Sequence, residues 1–61
     1  MYEPTVGETV WWGNGEGGLS VKVLEVTDTD ARVQLPFGGA ERWVPFEEIM
    51  ALEMFMNYKG L

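Results

Sequence analysis

The chain has 61 residues, with no cysteine, no histidine and a formal net charge of −6. A chain of this length forms one domain and buries only about 60% of the surface that its unfolded state exposes. The composition excludes disulfides and the ordinary zinc sites, which need cysteine or histidine ligands. The hydrophobic fraction of 46% suffices for a core and is too high for a disordered chain. We therefore expect a single domain over residues 1–61, with self-association as a further source of stability.

The ten acidic residues outnumber the four basic ones, and this imbalance restricts the kind of partner. Nonspecific binding to nucleic acid or to anionic membranes normally uses a basic surface. We therefore expect a protein partner, for which a basic protein or peptide is suitable, and neither direct nucleic-acid binding nor membrane contact. The sequence shows no signal-peptide pattern and no apolar run near the roughly 18 residues of a membrane span, which predicts a cytoplasmic location.

The first half of the chain predicts two strands joined by a flexible loop. Residues 6–12 alternate, with Val10 and Trp12 on one face and Trp11 on the other. Residues 13–18 contain four glycines, too many for a strand interior or a stable helix.

The second strand, residues 19–26, changes the parity of its alternation near Leu24 and Glu25, which predicts a bulge or a strong bend. Polar and turn-forming residues then separate two further alternating segments. The predicted elements are a turn at 27–30, a third strand at 31–35, a hairpin connection at 36–39 and a fourth strand at 40–44.

The segment after Pro45 allows two interpretations. Residues 45–49 are typical of one helical turn, with proline and acidic residues in its first positions. A closing strand over residues 50–55 would cover an open sheet edge. A helix over residues 46–56 is the alternative, because alanine, leucine, glutamate and methionine are strong helix formers. We favour the strand.

Two short motifs bracket these elements: Val6-Gly7-Glu8-Thr9-Val10 at the start and Trp43-Val44-Pro45-Phe46-Glu47-Glu48-Ile49 at the end. With the glycine-rich loop, the long bent strand and the hairpin between them, the sequence resembles the SH3-like barrels of the Tudor and KOW type over about residues 6–55. The resemblance implies an all-β, five-stranded barrel with a single 3-10 turn before the last strand. A four-stranded sheet with a C-terminal helix at 46–56 remains the alternative.

The resemblance also implies an aromatic cage for a methylated lysine or arginine, since ring faces attract cations. Such a cage draws on the loop after the first strand and on the third-to-fourth hairpin. The matching aromatics are Trp11 or Trp12, Phe37 and Trp43, and Glu16 or Glu41 is the matching acid. Adjacent strand residues face opposite sides, so we expect Trp12 in the core and Trp11 outside, where it could neighbour Trp43. We favour an exposed aromatic patch for protein contact over a cage, with plain packing as the alternative. The predicted partner-binding residues are Trp11, Phe37, Glu41 and Trp43.

The sequence contains few residues that could form a catalytic or cofactor-binding site. Ser20 is the single serine, and no histidine or cysteine is present to activate it. The glycine spacing of residues 13–18 matches a dinucleotide fingerprint, but the segment that follows predicts a strand and not the required helix. We expect neither an enzyme nor a bound cofactor or metal.

The C-terminal segment is richer in large apolar residues than a small barrel needs. Methionines adapt to varied surfaces, and exposed apolar patches usually mark interfaces. We expect a homodimer or partner interface here, formed by Met50, Met54, Met56 and Tyr58.

Three functions follow as hypotheses. The leading one is a small acidic protein-interaction module that holds a partner protein through exposed aromatics and carboxylates. The second is an inhibitor of viral or mobile-element origin that mimics nucleic acid with its acidic residues. The third is a structural or assembly subunit that acts through its C-terminal segment.

Overall fold

The computed structural model describes residues 2–13 and 17–53. These residues form one antiparallel sheet of five strands in the order β4-β3-β2-β1-β5. The predicted all-β class, with a single 3-10 turn before the last strand, is confirmed. Among the described residues no backbone ladder joins the end strands β4 and β5, so the sheet is not closed. The elements are β1 (Thr9–Gly13), β2 (Gly18–Val26), β3 (Asp30–Gln34), β4 (Glu41–Pro45), the 3-10 turn (Phe46–Glu48) and β5 (Ile49–Ala51).

The core lies on one face of this curved sheet and follows from the alternation of the strands. Side chains at every second position point to the same face, so each strand contributes one or two residues to the interior. Partly buried Tyr2, Leu19 and Leu35 pack against the rim of this core. The buried hydrophobic residues are Val10, Trp12, Val21, Val23, Ala31, Val33, Val44, Phe46 and Ile49.

The long strand β2 carries the predicted irregularity. Its register with β3 shifts between Val23, which pairs with Val33, and Glu25, which pairs with Arg32. A bulge adds one residue to one strand and thereby restores the inward and outward alternation on its far side. As a consequence Glu25 lies on the outer face, opposite Arg32.

Strand β1 begins later than the sequence predicted. The strand was expected from Val6, but residues 5–8 form a turn in which the Glu8 amide donates to the Thr5 carbonyl at 3.0 Å. Gly7 has φ of 91°, a conformation that suits glycine at this point of a turn. The turn leaves Val6 57% exposed.

The two interpretations of the segment after Pro45 resolve in favour of a strand, although a shorter one. The alternative of a helix over 46–56 is wrong at 46–51, which form the 3-10 turn and β5. Ile49 pairs with Trp12 and is 6% exposed, so core packing overrides local helix propensity here. The expected strand over 50–55 is wrong at 52 and 53, which have helical geometry. Residues 54–61 lie outside the described part of the chain.

Candidate protein-binding surface

Trp12 belongs to the interior, as strand alternation predicted. It is 7% exposed, and its indole Nε1 donates a hydrogen bond to Glu48 Oε1 at 2.9 Å. The guanidinium of Arg42 lies 5.4 Å from the centroid of the Trp12 ring, within cation–π distance. Trp12 therefore links β1 to the 3-10 turn and to the exposed Arg42 of β4, and it leaves little surface for a partner. The sequence did not indicate the roles of Glu48 and Arg42.

Trp11 lies on the outer face of β1 and is partly buried there. Its strand neighbours are Ser20 on β2 and Met50 on β5. Its indole lies over Gly13 and Gly18, the glycine pair that ends the β1–β2 ladder. The closeness is shown by the distances that an added Cβ would have: 2.9 Å from Gly18 to Trp11 Cε2, and 3.4 Å from Gly13 to Trp11 Nε1. Trp11 thus packs on local backbone.

The β3–β4 hairpin presents the two most exposed aromatic side chains of the described chain. Phe37, in the connection, is 62% exposed, and Trp43, on β4, is 47% exposed. The Leu35 amide donates to the Ala40 carbonyl at 2.8 Å and closes the connection. Positive φ values at the two glycines that follow Phe37 turn the chain back toward β4.

A charged network lies beside Trp43 on the same outer face. Arg32, which pairs with Trp43 across the strands, donates from Nε to Glu25 Oε1 at 3.1 Å and from Nη1 to Glu41 Oε1. The hydrogen bonds that Arg32 donates to Glu25 and, as a smaller cause, to Glu41 raise the pKa of Arg32. Both carboxylates are exposed, so the network orders the surface more than it stabilises the fold. We call this set the β3–β4 surface: Glu25, Arg32, Phe37, Glu41 and Trp43.

The strand register separates Trp11 from the β3–β4 surface. Trp11 lies on β1 and Trp43 on β4, with β2 and β3 between them in the sheet. Trp12, which follows Trp11, and Val44, which follows Trp43, both point into the core. Trp11 and Trp43 therefore point away from each other, and a cage that combines them does not form. Three of the four predicted partner-binding residues, Phe37, Glu41 and Trp43, share the hairpin.

The predicted C-terminal interface falls largely outside the described residues. Met50 is partly buried on the outer side of β5, next to Trp11. Met54, Met56 and Tyr58 lie in the part of the chain that the structure does not describe.

Within residues 2–13 and 17–53, no group of three or more potential ligand side chains is placed to hold a metal ion. The same residues contain no helix long and apolar enough to cross a membrane. Comparisons with protein-family models, with curated proteins and with solved structures find no significant match to this chain. The five-stranded antiparallel sheet is compatible with a small barrel-like fold, and none of these comparisons supports the Tudor or KOW family.

Proposed function

We propose that this protein is an interaction module that binds a partner protein through the β3–β4 surface. The observation that carries the proposal is Trp43, 47% exposed in the middle of β4. Tryptophan and arginine are the residue types most enriched where interfaces concentrate their binding energy. Here Trp43 faces solvent next to Arg32, and a partner would remove both from water.

The charged network supports the same proposal. Arg32 is held between Glu25 and Glu41, so its guanidinium is already positioned before any partner arrives. Preorganised side chains lose less entropy on binding. One positive and two negative charges leave a small acidic excess around the apolar Trp43. A partner with an apolar pocket and basic groups at its rim would complement this pattern.

The position of β4 adds a backbone component. Among the described strands β4 pairs only with β3, so it forms one end of the sheet. An end strand offers backbone donors and acceptors to which an extended partner segment can pair. Strand addition at β4 would place such a segment beside Trp43.

Replacement of Trp43 by alanine tests the proposal. We expect Trp43→Ala to weaken partner binding by roughly 30-fold or more, the loss of about 2 kcal/mol that defines a binding hot spot. The unfolding midpoint should change little, because the side chain is half exposed. Proteins captured from a native lysate by the wild type and by the variant are compared by mass spectrometry, and the affinity of each captured protein is then measured by calorimetry.

Val6→Ala is the matched control, since Val6 is 57% exposed and lies in the turn before β1, away from the hairpin. It should capture the same proteins as the wild type. Equal capture by Trp43→Ala and wild type would contradict the proposal, and so would an unfolded Trp43→Ala variant, which would identify Trp43 as a core residue.

A further inference from the structure

A groove lies at the end of the sheet opposite the β3–β4 hairpin, where β3 begins and β4 ends. It consists of two adjoining cavities of about 260 and 250 Å³. Both cavities are lined by Asp28 and Phe46. Each is smaller than the roughly 300 Å³ of the smallest ordinary ligand pockets. Because the two cavities lie next to each other and share two lining residues, an extended chain would place successive side chains in them.

The wall of the groove is fixed by hydrogen bonds. Thr27 Oγ1 accepts from the amides of Thr29 at 3.3 Å and Asp30 at 3.0 Å, while the Thr27 amide donates to the Asp30 carbonyl at 2.8 Å. The Phe46 amide donates to the Thr29 carbonyl at 2.9 Å, which ties the β2–β3 turn to the 3-10 turn. The groove thus lies between two connected elements and needs no rearrangement to form.

The lining combines an apolar floor with an acidic rim. Phe46 is buried in the floor, and Pro4, Pro45 and Val26 line it on either side. The acidic side chains that line the two cavities are Glu3, Asp28, Asp30 and Glu47.

No basic residue among those described lines the groove. Arg32 is bound to Glu25 and Glu41 on the outer face, and Arg42 lies over Trp12. Lys22, the remaining described base, is not part of either lining. The rim carboxylates are therefore not neutralised by a described side chain, and the charge of the groove can be complemented only from outside these residues.

From the apolar floor, the acidic rim and the two small adjoining cavities, we infer that the groove binds an extended basic peptide segment of a partner protein. Lysine or arginine side chains would meet the rim carboxylates, and intervening apolar side chains would cover Val26, which is 37% exposed, and Pro45. Opposite charge favours such a segment and repels acidic ones. The site is distinct from the β3–β4 surface and does not depend on it.

A titration of the full chain with a designed probe tests the inference. The probe is an acetylated and amidated octapeptide of alternating lysine and valine, and its partner is the same peptide with glutamate in place of lysine. Amide chemical shifts of the nitrogen-labelled protein should move at residues 27–30 and 46–47 with the basic peptide only. No binding at millimolar peptide, shifts confined to other residues, or equal binding of the acidic peptide would overturn the inference.

Variants that replace rim carboxylates by amides measure how much these charges contribute to peptide affinity. The double variant Asp28→Asn and Glu47→Gln should lower the affinity for the basic peptide about tenfold, because each exposed charge contributes about threefold. Glu53→Gln, which removes an exposed acid outside the groove, is the matched control and should bind within about twofold of wild type. Trp43→Ala should also leave this affinity unchanged, which separates the groove from the β3–β4 surface. Undiminished binding by the double variant would overturn the assignment.

Discussion

At the scale of single residues, Tyr2 shows how one contact holds the segment that precedes β1. Its hydroxyl donates a hydrogen bond to Glu8, whose other carboxylate oxygen accepts from the Thr5 amide at 2.9 Å. The hydrogen bond to Glu8, followed by burial and the nearby negative charge, raises the pKa of Tyr2 to about 12. Deprotonation would remove the donor and place two negative charges side by side.

This shift predicts a stability change at alkaline pH. The folded-state pKa of Tyr2 is about 12 against an ordinary value of 10.0, so its contribution is complete below about pH 10 and is lost as the pH rises toward 12. Tyr2→Phe should lower the free energy of unfolding at neutral pH, and its difference from wild type should shrink over this interval. Urea unfolding followed by tryptophan fluorescence measures both proteins. A difference that stays constant through the interval would show that the hydroxyl contact does not contribute.

The sequence predicted correctly that Trp12 lies in the core, but it did not predict which residues Trp12 contacts there. Alternation alone placed Trp12 inside with Val10, because adjacent strand residues face opposite sides. The acceptor for its indole, Glu48, lies 36 positions away, and Arg42 comes from a strand that is not its sheet neighbour. Contacts between residues that distant depend on the complete fold, and no local pattern in the sequence indicates them.

At the scale of elements, the β1–β2 ladder ends in a pair of glycines, Gly13 opposite Gly18, that tolerate a side chain unequally. A methyl group at Gly18 would overlap the carbonyl oxygen of Trp12 and come within 2.9 Å of the Trp11 ring. At Gly13 the nearest atom, Trp11 Nε1, would be 3.4 Å away, at the limit of ordinary contact.

We therefore predict that Gly18→Ala destabilises the protein by about 1–3 kcal/mol, the usual cost of an overpacked site. Gly13→Ala, its cross-strand partner, should stay within about 0.5 kcal/mol of wild type. Chemical denaturation of the three proteins decides between these values. Equal stability of the two variants would mean that the backbone at Gly18 shifts freely to admit a methyl group.

The order and type of the elements were predictable, whereas two of their boundaries were not. The bend near Leu24 was visible because apolar residues change parity there. Strand β1 starts late because residues 5–8 form a turn. Val6 lies in this turn, and its β-branched side chain had suggested a strand. The short β5 depends on Ile49 pairing with Trp12, which outweighs the helix propensity of the residues around it. Register and packing, and not local propensity, decided both boundaries.

At the scale of the whole molecule, charge is distributed unevenly. Two of the three described basic side chains, Arg32 and Arg42, are engaged by Glu25, Glu41 and the Trp12 ring. Among the described residues, Glu25 and Glu41 are the acidic side chains that form ion pairs, and the formal net charge of the chain is −6. In the folded state these negative charges lie close together, and their mutual repulsion lowers the stability of the fold.

This excess predicts that salt stabilises the fold. Raising sodium chloride from about 0.01 M to about 0.15 M shortens the Debye length from about 30 Å to about 8 Å, which screens repulsion between exposed acids. Screening also weakens the Arg32 ion pairs, but exposed pairs contribute at most about 1 kcal/mol each, so the midpoint of urea unfolding should rise. The Asp28→Asn and Glu47→Gln double variant, with two fewer negative charges, should show a smaller rise. An unchanged or lower midpoint would mean that the ion pairs of Arg32 outweigh the repulsion among the remaining acids, and the acidic rim of the groove would then cost the fold little.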